Sequence, residues 1–314
     1  MIFQAPTIAK MTSILREKEW TPSWASLVPI RPQGSRPPLF LCHGAEGNIL
    51  LYRELANCLE PDQPVYGLQS QGLDGSTKYL TNLEDMATRY ISEIRSLQPQ
   101  GPYCLGGYCM GGAIALEIAQ QLHDQGQKVA LLALLETYNL HSNPRASTFL
   151  YRCYHRMQTV RFHLDNFLLL KPEGRSAFFR EKARVEKDRI RMRLSVSAMR
   201  LAGRSTSEIH AMYPHIAITR ANDGAVWRYV PKEYCGTIMV FRPLRFFAGL
   251  DDPLFGWKVV STNGVETQVL PVYPRGMLVK PFVALLAERL RVCLDDAQEQ
   301  TRLGADRIAP QASA

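Results

Sequence analysis

An α/β fold, a mostly parallel sheet with helices on both faces, is predicted by three observations on this 314-residue chain. Short apolar runs of strand length alternate with stretches of helical spacing over residues 38–139. Strand signals then lapse over residues 140–221 and return beyond residue 236, ahead of a last helical pattern. A glycine-rich turn, Gly106-Gly-Tyr-Cys-Met-Gly-Gly112, joins a strand to a helix in the first half. The composition, 46% hydrophobic and 21% charged, supplies a sizeable core and excludes collagen-like, low-complexity and disordered classes.

Residues 1–37 are dotted with Pro, Ser and Arg and read as an entry arm. Leu39–Cys42 is a short apolar run, hence a buried strand, stopped by the loop His43-Gly-Ala-Glu-Gly47. A helical pattern covers Leu50 to Leu59, and Pro64 to Gln69 reads as the next strand. Leu83 to Leu97 has helical spacing, with Asn82 as cap and Asp85 three residues on. Tyr103–Leu105 is a strand, Gly111 to Gln125 a helix and Val129 to Leu135 another strand. After residue 236, Thr237–Arg242 and Val265–Val272 are strands and Pro281 to Asp296 a helix.

These elements divide the chain into the arm, a core in two parts (38–139 and 222–298), and a polar tail (299–314). Between the core parts lies an insertion, 140–221. A structureless loop of that length is unusual inside a domain, so a helical lid is expected. No run reaches the roughly 18 apolar residues of a membrane helix, and the first residues lack a signal-peptide pattern. The seven cysteines include no C-x-x-C pair, so neither a zinc site nor a disulfide framework is indicated. A cytoplasmic protein with mostly reduced, buried thiols is expected.

Gly107-x-Cys109-x-Gly111 has the spacing of a nucleophile elbow with cysteine in the serine position. The chemistry needs this pattern because the nucleophile sits on a strained strand-to-helix turn and small neighbours let backbone pass close on both sides. The following helix turns its positive end toward residue 109, an influence that lowers a thiol pKa. An oxyanion hole needs the N–H after the nucleophile, Met110, and one from the loop after an earlier strand, with Ala45 the expected donor. His43 is expected to orient that loop rather than to act as a base. Glu136, at the end of the strand Val129–Leu135, is the candidate acid, or else a strand-end carboxylate capping a neighbouring turn. Asp251 or Asp252 is the alternative acid.

The base is missing. The histidines stand at 43, 123, 141, 155, 163, 210 and 215, and none follows the last strand, where this arrangement needs one. A cysteine tolerates the loss better than serine, because a few per cent is thiolate at neutral pH even unperturbed. Hydrolysis is nevertheless expected to be impaired. His210 or His215, brought in from the insertion, is a candidate substitute.

On these segments the chain resembles the α/β-hydrolase thioesterase domains of non-ribosomal peptide and polyketide synthases. The segments are Pro38-Leu-Phe-Leu-Cys-His-Gly44, Tyr66-Gly-Leu-Gln-Ser-Gln-Gly-Leu-Asp74, Leu105-Gly-Gly-Tyr-Cys-Met-Gly-Gly112, Leu134-Leu-Glu-Thr-Tyr138 and Met277-Leu-Val-Lys-Pro281. The resemblance spans about residues 25–298, strongest before 140. It implies an α/β-hydrolase fold with Cys109 as nucleophile, Glu136 where the family has Asp, and oxyanion donors at Met110 and near Ala45. It puts Pro274 at the family's histidine position. It also implies thioester substrates carried on the phosphopantetheine of a partner carrier protein, with no cofactor of the enzyme's own. Three functions follow: a stand-alone thioesterase, an acyl or aminoacyl transferase between carriers, or a non-catalytic relative that binds carriers.

The formal charge, +8, is concentrated. Lys171 to Arg204 holds eleven Lys and Arg against four Asp and Glu. A solvated helix face explains such a run, and so does a docking surface for an acidic acyl or peptidyl carrier protein. No recognition helix, zinc finger or base-stacking sheet accompanies it, so nucleic acid is not the expected partner.

Overall fold

The sheet has seven strands in the order β1-β3-β2-β4-β5-β6-β7. They are β1 Leu27–Arg31, β2 Leu39–Cys42, β3 Val65–Leu68, β4 Tyr103–Tyr108, β5 Val129–Leu135, β6 Ile238–Pro243 and β7 Val265–Leu270. The computed structural model describes residues 25–73, 79–142, 164, 168, 172–205, 208–209, 212–244, 252–272 and 275–308. The helices are α1 Arg53–Cys58, α2 Leu83–Leu97, α3 Met110–Asp124, α4 Pro172–Leu201, α5 Pro214–Arg228 and α6 Val283–Ile308. All pairings are parallel except β1 on β3.

The inner strands β2 and β5 read as continuous apolar runs because both faces are covered, whereas the edge strands β1 and β7 are partly exposed. Phe40, Leu105, Leu132, Leu134 and Val240 point into one core with α2 and α3. Leu39, Leu41, Ala133, Leu135 and Phe241 point into the other, with α1 and α6. Each large side chain so buried stabilises the fold by about 1.5–3 kcal/mol relative to exposure. Helix α2 begins as its sequence dictates. The Asn82 side chain accepts the Asp85 N–H at 2.7 Å, a cap of the kind that contributes about 1 kcal/mol.

Strand β1 lies inside the segment expected to be only an arm. Pro29 weakens its strand signal, but β1 is the sheet's edge and pairs on one side only, so proline is tolerated. Helix α5 runs through residue 221, and α6 continues past 298 to Ile308. No helix among the described residues is long and apolar enough to cross a membrane. Six cysteines are described and all are free; Cys58, Cys109 and Cys235 are exposed, so half of these thiols are not buried as expected.

Chain order positions the site. From β2 the chain adds β3 on one side, then crosses to place β4 on the other. Ligands of parallel sheets bind at such a switch point, outside the carboxyl ends of the strands. The loops leaving β2 and β4 are His43–Gly47 and the turn at Cys109.

Candidate active site

Register brings the thiol and the carboxylate together. Tyr108 of β4 pairs with Leu135 of β5, so Cys109 and Glu136 leave adjacent parallel strands at the same level. The Cys109 N–H donates to the Leu135 carbonyl at 3.0 Å, and the Glu136 N–H to the Phe241 carbonyl at 2.8 Å. Both residues have positive φ, 55° for Cys109 and 47° for Glu136. Such backbone persists only where its surroundings over-determine it. Here the Cys109 carbonyl accepts from Gly112 N–H at 3.2 Å and from Thr137 Oγ1 at 2.9 Å.

The two elbow glycines are required by close approach. A Cβ on Gly107 would lie 2.1 Å from the Gly111 carbonyl carbon, and one on Gly111 would lie 2.2 Å from the Cys42 carbonyl oxygen. The helix start is thereby pressed onto the end of β2. Tyr52 braces the same junction: its buried hydroxyl donates to the Cys42 carbonyl at 2.6 Å and accepts the Tyr108 N–H at 2.8 Å.

A cavity of about 100 Å³ opens over the thiol, lined by Cys109, Met110, Ala45, Thr137, Asp223 and Trp257 among others. Ala45 and Met110, the expected oxyanion donors, therefore share a cavity with Cys109. Asn222 of α5 fixes the first loop by donating to the Ala45 carbonyl at 3.0 Å. Tyr138 and Phe255 stack at 4.0 Å between ring centres and close one wall. Trp257 is anchored through its indole N–H on the Thr137 carbonyl at 2.8 Å.

Electrostatics at the thiol differ from the expectation of a lowered pKa. Desolvation by the surrounding protein raises it; the Met110 N–H opposes this, Glu136 and Asp223 reinforce it, and Arg275 pulls the other way. The sum is upward, because two carboxylates and low polarity outweigh one amide and one guanidinium. Burial also pushes the Glu136 carboxyl up to about 7, against the Arg275 N–H and charge and the Tyr108 hydroxyl. Both Glu136 oxygens accept the Arg275 N–H, at 2.8 and 2.9 Å. A backbone amide of the β7–α6 loop thus occupies the carboxylate that would orient a base.

The histidines sort by position. His43 is buried between the Gly44 carbonyl at 2.7 Å and the Tyr90 hydroxyl at 2.8 Å, and burial lowers its pKa to about 4. His215 lies against the Met192 sulfur at 3.3 Å, away from the cavity lining. His141 does line the cavity, on the turn after β5, with its backbone N–H donating to the Asn139 side-chain oxygen at 3.1 Å. His210, Asp251 and Pro274 lie outside the described residues. The Asp252 carboxylate accepts the Leu254 and Gly256 N–H groups of its own turn, at 2.9 and 2.8 Å, and is not among the cavity's lining residues.

Sequence reasoning passed over Thr137, His141, Asp223 and Arg275. Thr137 and His141 were signalled by following Glu136 within five residues, at the carboxyl end of a strand. Asp223 carried no local signal, since only the packing of α5 over the elbow brings it there.

An exposed thiol on a strained strand-to-helix turn, beside backbone donors and a carboxylate on the next strand, has the layout expected at the working end of an α/β-hydrolase. Residues 37–261 match the thioesterase domain family, and the chain belongs to it. Malpinin synthetase of Mortierella alpina is 44% identical over 138 residues, 43% of this chain and 2% of that protein. The dimodular nonribosomal peptide synthase of Bacillus subtilis is 38% identical over 143 residues, 46% of this chain and 6% of that one. The chain thus spans only a few per cent of the length of these relatives. Among solved structures, the NocB thioesterase domain in covalent complex with a fluorophosphonate nocardicin G analogue superposes with a TM-score of 0.60. The match is 24% identical and covers 86% of this chain and all of that one. A Vlm2 thioesterase domain gives 0.55 at 20% identity, covering 84% and 96%. These two share the fold.

Proposed function

We propose that this chain loads acyl or aminoacyl groups from the phosphopantetheine thioester of a carrier protein onto Cys109 and passes them to an acceptor thiol. Natural-product assembly of the peptide or polyketide kind is the setting, in keeping with the relatives' names. The observation that carries the choice of acceptor is the Glu136 carboxylate held by the Arg275 N–H rather than by an imidazole. Water needs a base to attack an acyl-enzyme, whereas a thiol brings its own thiolate.

The loading step balances as an exchange. The Cys109 thiolate attacks the thioester carbonyl carbon, and the oxyanion falls to the Met110 and Ala45 N–H groups. The bond from that carbon to the pantetheine sulfur then breaks, and the departing thiolate takes up the proton that Cys109 gave to solvent. Transfer repeats the sequence with a second pantetheine thiol. One thioester replaces another, so the exchange is nearly isoenergetic. The stripe Arg180, Arg184, Lys187 and Arg191 recurs along one face of α4, and all four are exposed. It would receive an acidic carrier surface, with an association rate that falls as salt rises.

Hydrolysis is the second reading, favoured by His141 on the cavity wall. The test is to incubate the protein with acyl- and aminoacyl-loaded carrier proteins and follow the intact mass. An adduct on the wild type, absent from Cys109→Ala, supports covalent loading. Adding a carrier with a free pantetheine thiol should then discharge the adduct faster than buffer does. Equal discharge, with free acid as product, favours hydrolysis. No adduct from any loaded carrier refutes both readings and leaves a carrier-binding protein.

A further inference from the structure

We propose that the cavity over Cys109 selects amine-bearing acyl groups, with the Asp223 carboxylate receiving the substrate's ammonium. The inference rests on covalent loading at Cys109 and adds the class of acyl group loaded.

Three observations point to it. The first is chemical contrast: the cavity is mainly apolar, and Asp223 is the one carboxylate among the described residues that line it. The second is fixed placement. Asn222, the preceding residue, is buried and bonded to the Ala45 carbonyl at 3.0 Å. At the end of α5, the Tyr229 hydroxyl meets Glu117 and Gln120 of α3, each at 3.0 Å. Helix α5 is therefore held at both places, and Asp223 faces the elbow without freedom to swing away as a body. The third is availability: Asp223 is exposed to solvent and has no ion pair or hydrogen bond among the described residues, so water is all that a ligand must displace from it.

A carboxylate in that position is costly for an acyl chain with nothing to offer it, because binding such a chain strips water from a charge and supplies no partner. An ammonium reverses the sign by forming a charge-assisted hydrogen bond. The charges around the thiol agree. Desolvation raises the Asp223 pKa, and both Asp223 and Glu136 raise that of Cys109, against Arg275 alone. A bound ammonium adds the positive charge that favours the thiolate, which in a triad an imidazolium would provide. The substrate then helps to ionise the thiol that attacks it.

The experiment compares alanyl-, N-acetylalanyl-, propionyl- and β-alanyl-pantetheine thioesters in single-turnover loading of Cys109, read by intact mass. Wild type should load alanyl about tenfold to a hundredfold faster than propionyl or N-acetylalanyl, the range of a hydrogen bond to a charged group. Asp223→Asn should bring that ratio close to one, and Asp223→Glu should retain part of it. The β-alanyl ester tells whether an amine one carbon further out is reached equally well. A ratio unchanged in Asp223→Asn overturns the proposal while leaving covalent loading intact. Absence of loading from every ester refutes the loading reading instead. Selectivity is then read by calorimetry on Cys109→Ala, using the amides that replace each thioester. Equal affinity for alanyl and propionyl amides, with or without Asp223→Asn, overturns the role of Asp223 independently.

Discussion

Replacing Glu136 by glutamine removes one titratable proton and keeps an acceptor for the Arg275 N–H. In the folded protein this carboxyl titrates near 7, because burial disfavours its charged form; in an unfolded chain it returns to about 4.5. Between those values the folded state keeps a proton that the unfolded state has lost. Stability therefore falls as pH rises through this window, and the whole contribution present at low pH is gone above the folded value. The span corresponds to about 3 kcal/mol, most of which falls between pH 5 and pH 8. Glu136→Gln cannot ionise and so lacks this loss. Urea unfolding of both proteins at half-unit steps from pH 5 to pH 8 gives the difference directly. The wild type should lose stability relative to the variant by about 2–3 kcal/mol, with most of the change below pH 7. Parallel curves, with the wild-type-to-variant difference changing by less than about 1 kcal/mol across the range, would falsify the claim that burial outweighs the Arg275 and Tyr108 partners of this carboxyl.

Other outcomes follow from the same geometry. Tyr52→Phe strands the half-buried Tyr108 N–H and the buried Cys42 carbonyl, and should cost about 1–3 kcal/mol in urea unfolding. Asp223→Asn takes a negative charge from beside the thiol, so iodoacetamide should alkylate Cys109 roughly two- to tenfold faster at pH 7.5. Arg275→Met removes a positive charge and should slow the same reaction. His141→Ala should slow release of the Cys109 adduct to water more than its formation if His141 is the base for hydrolysis. Equal slowing of both steps would point to a wall residue only.

Much of the fold was legible because its inner strands are buried on both faces. Leu39–Cys42 and Val129–Leu135 have the bounds their apolar runs indicate, since a strand with no solvent face has no other reason to be so uniform. Helix α2 was legible through its cap as well as its spacing. Strand β1 was not, because its pairing with β3 comes from the sheet edge and its own sequence carries a proline. The elbow could be read from Gly107, Cys109 and Gly111 because no larger residue fits where backbone passes within such distances. The absence of a histidine after β7 was also plain in the sequence. The occupant of the Glu136 carboxylate was not, since a backbone N–H carries no residue-type signature.

The sequence by itself determined the α/β order, the glycine-framed cysteine and the absence of any histidine after residue 215, all features written in local spacing and residue type. Tertiary structure alone decided what surrounds the thiol. Register between β4 and β5 set Glu136 beside Cys109, and the packing of α5 brought Asp223 over it. The desolvation created by those contacts, more than the helix end at Met110, sets the direction of the thiol's pKa. Burial and through-space charge depend on what the whole fold assembles around an atom, so no local stretch of sequence encodes them.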